Sequence, residues 1–418
     1  MGGGSVNSKS ITMTKYRILT LNNISHQALL RFTPDRYAVG KHVEHPDAIL
    51  VRSHDMHAMA IPTTVKAIGR AGTGTNNIPV AAMSNRGVPV FNAPGANANA
   101  VRELVLAALL IGARNLVPAL RFVGELPRDA TDFEARVEEG KKQFAGIELP
   151  HRTLGIVGLG AIGALVADTA LKLGMKVVGY DPEITVDAAW RLQSAVRKAQ
   201  SIDEVLKQAD FVTLHIPLLA STRGLIDAKR LAMMKPGAVL LNFARDAIVD
   251  EAAVVEALRA DRLKAYLTDF PSQVLSGVRG VIALPHLGAS TAEAEENCAV
   301  MVVEQLREFL ENGGISNAVN FPQVEMARES AFRIGIANAN VPNMLGQIST
   351  AMAKAGLNIH NMLNKSRGEM AYTMVDVDSP VAQSVIDAIA AINGVLSVRS
   401  IPAEQEAAES AQSEVPVR

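Results

Sequence analysis

A single cysteine, Cys298, stands among 418 residues. One thiol excludes an internal disulfide and any metal site built from several cysteines. It falls in a stretch with helical periodicity, where a buried, inert thiol is the expected state. Charge of one sign is also missing: the formal net charge is −1 and no long basic run occurs. Without a concentrated positive field, neither nucleic acid nor a membrane surface is an expected partner. No apolar stretch approaches the ~20 residues of a membrane span. The longest, residues 101–111, is interrupted by Arg102 and Glu103 and followed by Arg114. Residues 1–13 are rich in Gly, Ser and Asn, lack the apolar run of a signal peptide and read as a flexible tail. Together these absences point to a cytoplasmic protein that uses no metal.

What is present has the balance of a globular chain, 48% apolar and 20% charged. At this length two or three domains are expected. Between residues 16 and 90, strands at 48–51, 67–68 and 88–91 alternate with helical segments at 62–66 and 78–86, the rhythm of a parallel α/β sheet. A helix over 98–113 carries apolar residues on more than one face, as a buried element does. The next block repeats strand, helix, strand: strands at 153–157, 176–180, 211–215, 238–243, 265–268 and 280–283, helices at 161–173, 202–207 and 250–260. Such repeats build a doubly wound, Rossmann-type sheet. A helix over 293–310 then carries the chain back to the first block. Residues 323–331, with a proline just before them and mixed charges, read as a linker. Residues 332–402 give a third unit, βαββαβ, and the Ala-, Glu- and Ser-rich tail 403–418 has no apolar face to bury. The expected domains are therefore 14–97 with the return segment 291–322, the inserted sheet 98–290, and the C-terminal unit 332–402.

Gly158-Leu159-Gly160-Ala161-Ile162-Gly163 matches G-x-G-x-x-G between an expected strand and an expected helix. Gly158 permits the tight turn, Gly160 lets backbone N–H groups approach a pyrophosphate, and Gly163 permits close helix–strand packing. The phosphates then lie at a helix N-terminus, where free N–H groups and the helix dipole favour negative charge. Asp181, 18 residues after Gly163 at the end of the next strand, stands near the spacing of a ribose-binding acid. A carboxylate there accepts from the 2′-hydroxyl and repels a 2′-phosphate, so NAD is expected rather than NADP.

Three further segments are Leu214-His215-Ile216-Pro217 with Thr222–Ile226, Met234-Lys235-Pro236-Gly237 through Asn242-Phe243-Ala244-Arg245, and Leu284-Pro285-His286-Leu287-Gly288-Ala289-Ser290-Thr291. With Gly69-Arg70-Ala71-Gly72-Thr73-Gly74, they resemble the D-isomer-specific 2-hydroxyacid dehydrogenases from about Tyr16 to Phe321. The resemblance implies a flavodoxin-like substrate domain interrupted by the NAD domain. It implies cofactor contacts from Thr73, Ala161, Ile162, His215, Ile216, Pro217, Phe243, Ala244, Asp269, Gly288 and Ala289, with Asp269 receiving the nicotinamide amide. Arg52, Ser53 and Asn97 fall where the family meets the substrate's carboxylate or phosphate.

In the family's pattern Arg245 is the cation and His286 the base. The chemistry explains both choices. A guanidinium grips a carboxylate through two parallel N–H bonds, and imidazole exchanges protons near neutral pH. A third residue departs from the pattern. A glutamate four or five residues beyond the aspartate normally pairs with the histidine, but Asp269 is followed by Phe270-Pro271-Ser272-Gln273-Val274. Gln273 is the best positional match, and its amide would orient the ring as a glutamine does in the related formate dehydrogenases. Asp246 also replaces a glycine that usually follows the arginine.

Residues 332–402 resemble an ACT domain, a βαββαβ module that binds amino acids between paired copies. Asn338, Asn340 and Asn358 supply donors and acceptors without net charge and are the candidate effector ligands, with L-serine the expected effector and a homodimer or homotetramer the expected assembly. Other members have a histidine in place of Asn338 and a glycine in place of Asn343. The appended unit points to the branch of the family that oxidises 3-phospho-D-glycerate for serine biosynthesis. A reductase of hydroxypyruvate, glyoxylate or 2-oxoglutarate, and a non-catalytic NAD-sensing scaffold, are the competing expectations.

Overall fold

The computed structural model describes residues 15–128 and 131–402. The tails expected at 1–13 and 403–418 lie outside the described residues. The chain forms two compact units, Met1–Ala96 with Glu295–Arg418, and Asn97–Ala294. Among the described residues no single helix is long and apolar enough to cross a membrane.

The first unit opens with five parallel strands, β1 (Tyr16–Leu21), β2 (Tyr37–Gly40), β3 (Ala48–Val51), β4 (Ala67–Arg70) and β5 (Val90–Phe91), in the order β2-β1-β3-β4-β5. This is the flavodoxin-like order. Both faces are covered, as a parallel sheet requires. Ala48 and Leu50 enter one core with Val302, Leu306 and Phe309 of the return helix Ala292–Asn312. Ile49 and Val51 enter the other, with Met83 of the helix Val80–Asn85. The helical pattern at 62–66 does not become a helix; only Thr63 and Thr64 form a turn there.

The second unit carries β6 (Thr153–Val157), β7 (Lys176–Tyr180), β8 (Arg197–Lys198), β9 (Phe211–Leu214), β10 (Ala238–Asn242), β11 (Leu263–Thr268) and β12 (Val281–Ala283). Their order, β12-β11-β10-β9-β6-β7-β8, is all parallel. The order reverses at β6, so the switch point of a Rossmann sheet lies between β6 and β9, at the glycine turn. The helix Ala98–Arg114 buries Val101, Val105, Ala108 and Leu109 against this sheet. It ends at Asn115 in the left-handed conformation (φ 52°).

The first unit closes with β13 (Phe332–Ala339), β14 (Ile359–Arg367), β15 (Met370–Val377) and β16 (Val395–Pro402), antiparallel in the order β14-β15-β13-β16. Helices Met344–Lys354 and Gln383–Ala390 complete a βαββαβ, ferredoxin-like unit. Its helices cover one sheet face through Ile334, Ile336, Ile348, Val375 and Ile389. Its other face sends Ala337, Tyr372 and Met374 into the core of the return helix.

The segment 323–331, expected as a linker, is pinned. Buried Arg333 grips Asp376 through Nε–Oδ1 at 2.7 Å and NH2–Oδ2 at 2.9 Å. Its remaining donors reach the carbonyls of Asn312, Met326 and Ala327 at 2.9–3.1 Å. Arg399 lies 3.9 Å above the Phe309 ring and donates to the Phe309 carbonyl. Every buried donor on Arg333 has a partner, the condition under which a buried ion pair is tolerated.

Candidate active site

β6 runs into Gly158 at φ +93°, a conformation that glycine adopts without strain. The third glycine is required by proximity, because a Cβ on Gly163 would lie 2.0 Å from the Gly158 carbonyl oxygen. A Cβ on Gly160 would meet nothing within 4 Å, so open space lies over the second glycine. Gly160 caps the helix Ala161–Lys172 without a side chain that accepts its first N–H groups. Those donors are the ones a pyrophosphate uses.

Asp181 follows β7 and ties this turn together. Its Oδ2 accepts from Leu159 N at 2.8 Å and its Oδ1 from Glu183 N at 3.0 Å. His215 follows β9; its amide donates to the Val157 carbonyl, and its Nε2 lies 3.0 Å from Thr213 Oγ1. Burial drives its pKa down to about 3, so the ring is neutral at working pH. Its buried Nδ1 has no protein partner. Open space at Gly160, uncapped helix N–H groups, an orphaned ring nitrogen and a strand-end carboxylate together fit a dinucleotide.

At the end of β10 the buried Asn242 organises the loop that carries Arg245. Its Nδ2 donates to the Arg245 carbonyl at 2.8 Å and to Tyr266 Oη at 3.3 Å, and its Oδ1 accepts from Ala244 N at 3.2 Å. Arg245 has extended backbone (φ −151°, ψ 146°) and starts the turn Asp246–Ile248. Its exposed side chain donates to the Ala244 carbonyl at 2.6 Å. Among the described residues no carboxylate pairs with it, so a planar cation is available to a ligand. Asn242 was missed in the sequence, although a polar residue closing the apolar run Ala238–Asn242 is a signal that could have found it.

His286 stands on the loop after β12 at φ +57°, rare for a residue with a Cβ. Buried Asp269 holds it there: its carbonyl accepts from His286 N at 3.0 Å, and its two carboxylate oxygens accept from Leu287 N and Gly288 N at 2.7 Å each. The exposed imidazole meets the Phe270 ring edge-on, centroids 5.1 Å apart. Gln273, expected to orient the imidazole, does not reach it. Its side chain is exposed, and its backbone carbonyl accepts from Ser276 N within a turn. The connection after Asp269 brings Phe270 to the ring instead. In the same connection Ser272 Oγ donates to Glu251 at 2.6 Å.

The nucleotide-type unit thus brings together Gly158, Gly160, Ala161, Ile162, Gly163, Asp181, His215, Ile216, Pro217, Phe243, Ala244, Arg245, Asp269, His286, Gly288 and Ala289 at the carboxyl ends of one sheet. Asn97 opens the same unit. Arg52, Ser53 and Thr73 belong to the other unit. In the C-terminal module Asn338 is buried, its amide spent on the Ala339 carbonyl and Thr373 Oγ1. Its side chain is therefore already engaged within the module. Asn340 and Asn358 are exposed. Asn343 takes φ +63°, the left-handed region that asparagine tolerates better than most residues.

Residues 120–288 match the family model of the D-isomer specific 2-hydroxyacid dehydrogenase NAD binding domain. The D-3-phosphoglycerate dehydrogenase of Escherichia coli K12 is 32% identical over 349 residues, 80% of each chain. This chain belongs to the D-isomer-specific 2-hydroxyacid dehydrogenase family. The D-3-phosphoglycerate dehydrogenase of Methanocaldococcus jannaschii is 35% identical over 75% of this chain, which spans 57% of that relative's length. The solved NAD+-bound 3-phosphoglycerate dehydrogenase of Entamoeba histolytica covers 73% of this chain and 99% of its own, at 26% identity and a TM-score of 0.56. The chain is accordingly an NAD-dependent dehydrogenase of the family. Bound NAD supplies the acceptor for the electron pair and hydrogen that leave the substrate carbon.

Proposed function

We propose that this enzyme oxidises 3-phospho-D-glycerate to 3-phosphooxypyruvate with NAD, the first step of L-serine biosynthesis. The observation that carries the reading is the pairing of two loops on one frame. Asn242 presents an Arg245 guanidinium that has no carboxylate partner among the described residues, and Asp269 presents His286. Arg245 takes the substrate carboxylate through two N–H bonds and polarises the C2 oxygen. Neutral His286 removes the hydroxyl proton as the C2–O bond becomes a carbonyl, and it returns that proton in the reverse direction. Arg52 and Ser53 receive the phosphate, with Asn97 an additional polar contact. Asp181 sets the preference for NAD.

The C-terminal βαββαβ module is read as an ACT domain for a small amino acid, L-serine first, with exposed Asn340 and Asn358 as its ligands. Assembly as a homo-oligomer is supported by the helix Leu116–Glu125, which buries none of its residues and leaves Leu120 73% exposed. Comparing kcat/KM for 3-phosphooxypyruvate with hydroxypyruvate, glyoxylate and 2-oxoglutarate tests the substrate. The reading expects the phosphorylated acid to lead. Equal or better turnover of 2-oxoglutarate would replace it with a dicarboxylate reductase, and NAD binding without any turnover would make the protein a sensor.

A further inference from the structure

Ligands of a doubly wound sheet meet the carboxyl ends of its strands. On the five-stranded sheet Arg52 stands at such an end, directly after β3, and Arg70 closes β4. The backbone around Arg52 is fixed from several sides. Its carbonyl accepts from Arg70 Nε at 3.1 Å and Asn77 Nδ2 at 3.4 Å. The next two amides, Ser53 N and His54 N, both donate to Asn22 Oδ1, at 3.0 and 2.7 Å. A rigid turn therefore delivers the Arg52 guanidinium, and its NH2 is engaged by Oε1 of Glu295, near the start of the return helix. The two side chains are 38% and 41% exposed, so a dissolved anion can reach the pair.

We propose that Glu295 is a specificity-determining residue, an internal competitor that occupies Arg52 until a phosphomonoester displaces it. The proposal rests on the reading above, in which Arg52 receives the substrate phosphate. An ion pair this exposed is worth a factor of about five or less in an equilibrium, so a strongly charged ligand opens it. A phosphomonoester carries a charge of about −1.5 to −2 near neutral pH and offers three acceptor oxygens, which suit the forked guanidinium. A ligand whose far end is uncharged has nothing to exchange for the carboxylate and leaves the pair closed. The binding of phosphorylated acids alone therefore includes the cost of breaking the Arg52–Glu295 contact. Once displaced, the carboxylate still repels the phosphate from nearby.

Steady-state kinetics of the full chain with NADH, on the wild type, Glu295→Gln and Arg52→Gln, test this. In Glu295→Gln the KM for 3-phosphooxypyruvate should fall about three- to fivefold, and that for hydroxypyruvate should not move. The gain should shrink as added salt screens the exposed charges. A KM for 3-phosphooxypyruvate that rises in Glu295→Gln would mean that the carboxylate positions Arg52, and an unchanged one that no competition exists. Either result overturns the proposal. Arg52→Gln separates this failure from that of the underlying reading. A KM raised about tenfold or more keeps Arg52 on the phosphate whatever Glu295 does, whereas an unchanged KM removes both the reading and the proposal.

Discussion

The carboxylate of Asp269 carries His286: it accepts both amides that follow the histidine, Leu287 N and Gly288 N, while its own carbonyl accepts the histidine amide. A β-carbon at φ +57° costs about 1–2 kcal/mol, and these three bonds hold the loop against it. Asn in place of Asp269 keeps the shape but turns one acceptor into an NH2 that faces an amide N–H. A buried donor left unpaired costs about 1–3 kcal/mol. Asp269→Asn should therefore lower Tm by about 3–8 °C and kcat/KM by at least about tenfold, because a small misplacement of the base is expensive. A kcat/KM equal to the wild type's, measured beside the melting curve, would remove Asp269 from the positioning role.

Gln273 gives a prediction of no effect. Oxidation needs neutral His286 and reduction the protonated ring, so a carboxylate touching the ring would extend the reductive limb toward alkaline pH. Since Gln273 is exposed and Phe270 occupies the ring's side, the pH profiles of kcat/KM for Gln273→Glu and the wild type should superimpose in both directions. An alkaline displacement of the variant's reductive limb would place residue 273 against the imidazole in the working enzyme.

What the sequence made legible was local. The glycine turn and Asp181 could be read from their spacing, and Arg245 and His286 from the family's motifs; the seven-stranded sheet places all four at strand ends. Strands β1 and β2 escaped notice. Tyr16–Leu21 mixes polar and apolar residues, and Tyr37–Gly40 is short with two exposed positions, so their identity depends on pairing with each other and with β3. The aromatic neighbour of His286 also depends on how a loop folds back. So does the pinning of residues 323–331, which needs Arg333 to meet carbonyls on two separate segments. Residue type marks Asn338 as polar and nothing more; strand register turns it inward, where Thr373 donates to its Oδ1.

His215 supplies a stability prediction. Its folded-state pKa, about 3, lies below the 6.5 of an unperturbed ring. Between those values the unfolded chain binds the extra proton, so stability rises with pH through this window and is lost as pH falls below about 6.5. The group contributes up to about 1.4 kcal/mol per pH unit there. In His215→Gln the decline of Tm from pH 7 to pH 4 should be shallower than in the wild type. A steeper or identical decline would mean that the ring is not buried in its neutral form.

The central claim, that Arg245 and His286 with NAD oxidise a phosphorylated 2-hydroxy acid, is tested most directly by one comparison. Initial rates of NADH formation from 3-phospho-D-glycerate are measured for the wild type and for Arg245→Lys. Lysine keeps the charge but offers a point ammonium where the carboxylate needs two parallel donors. The wild type should show saturable turnover, and Arg245→Lys should lose about a hundredfold or more in kcat/KM while still binding NAD. No NADH from the wild type, or a lysine variant with wild-type kcat/KM, would contradict the account.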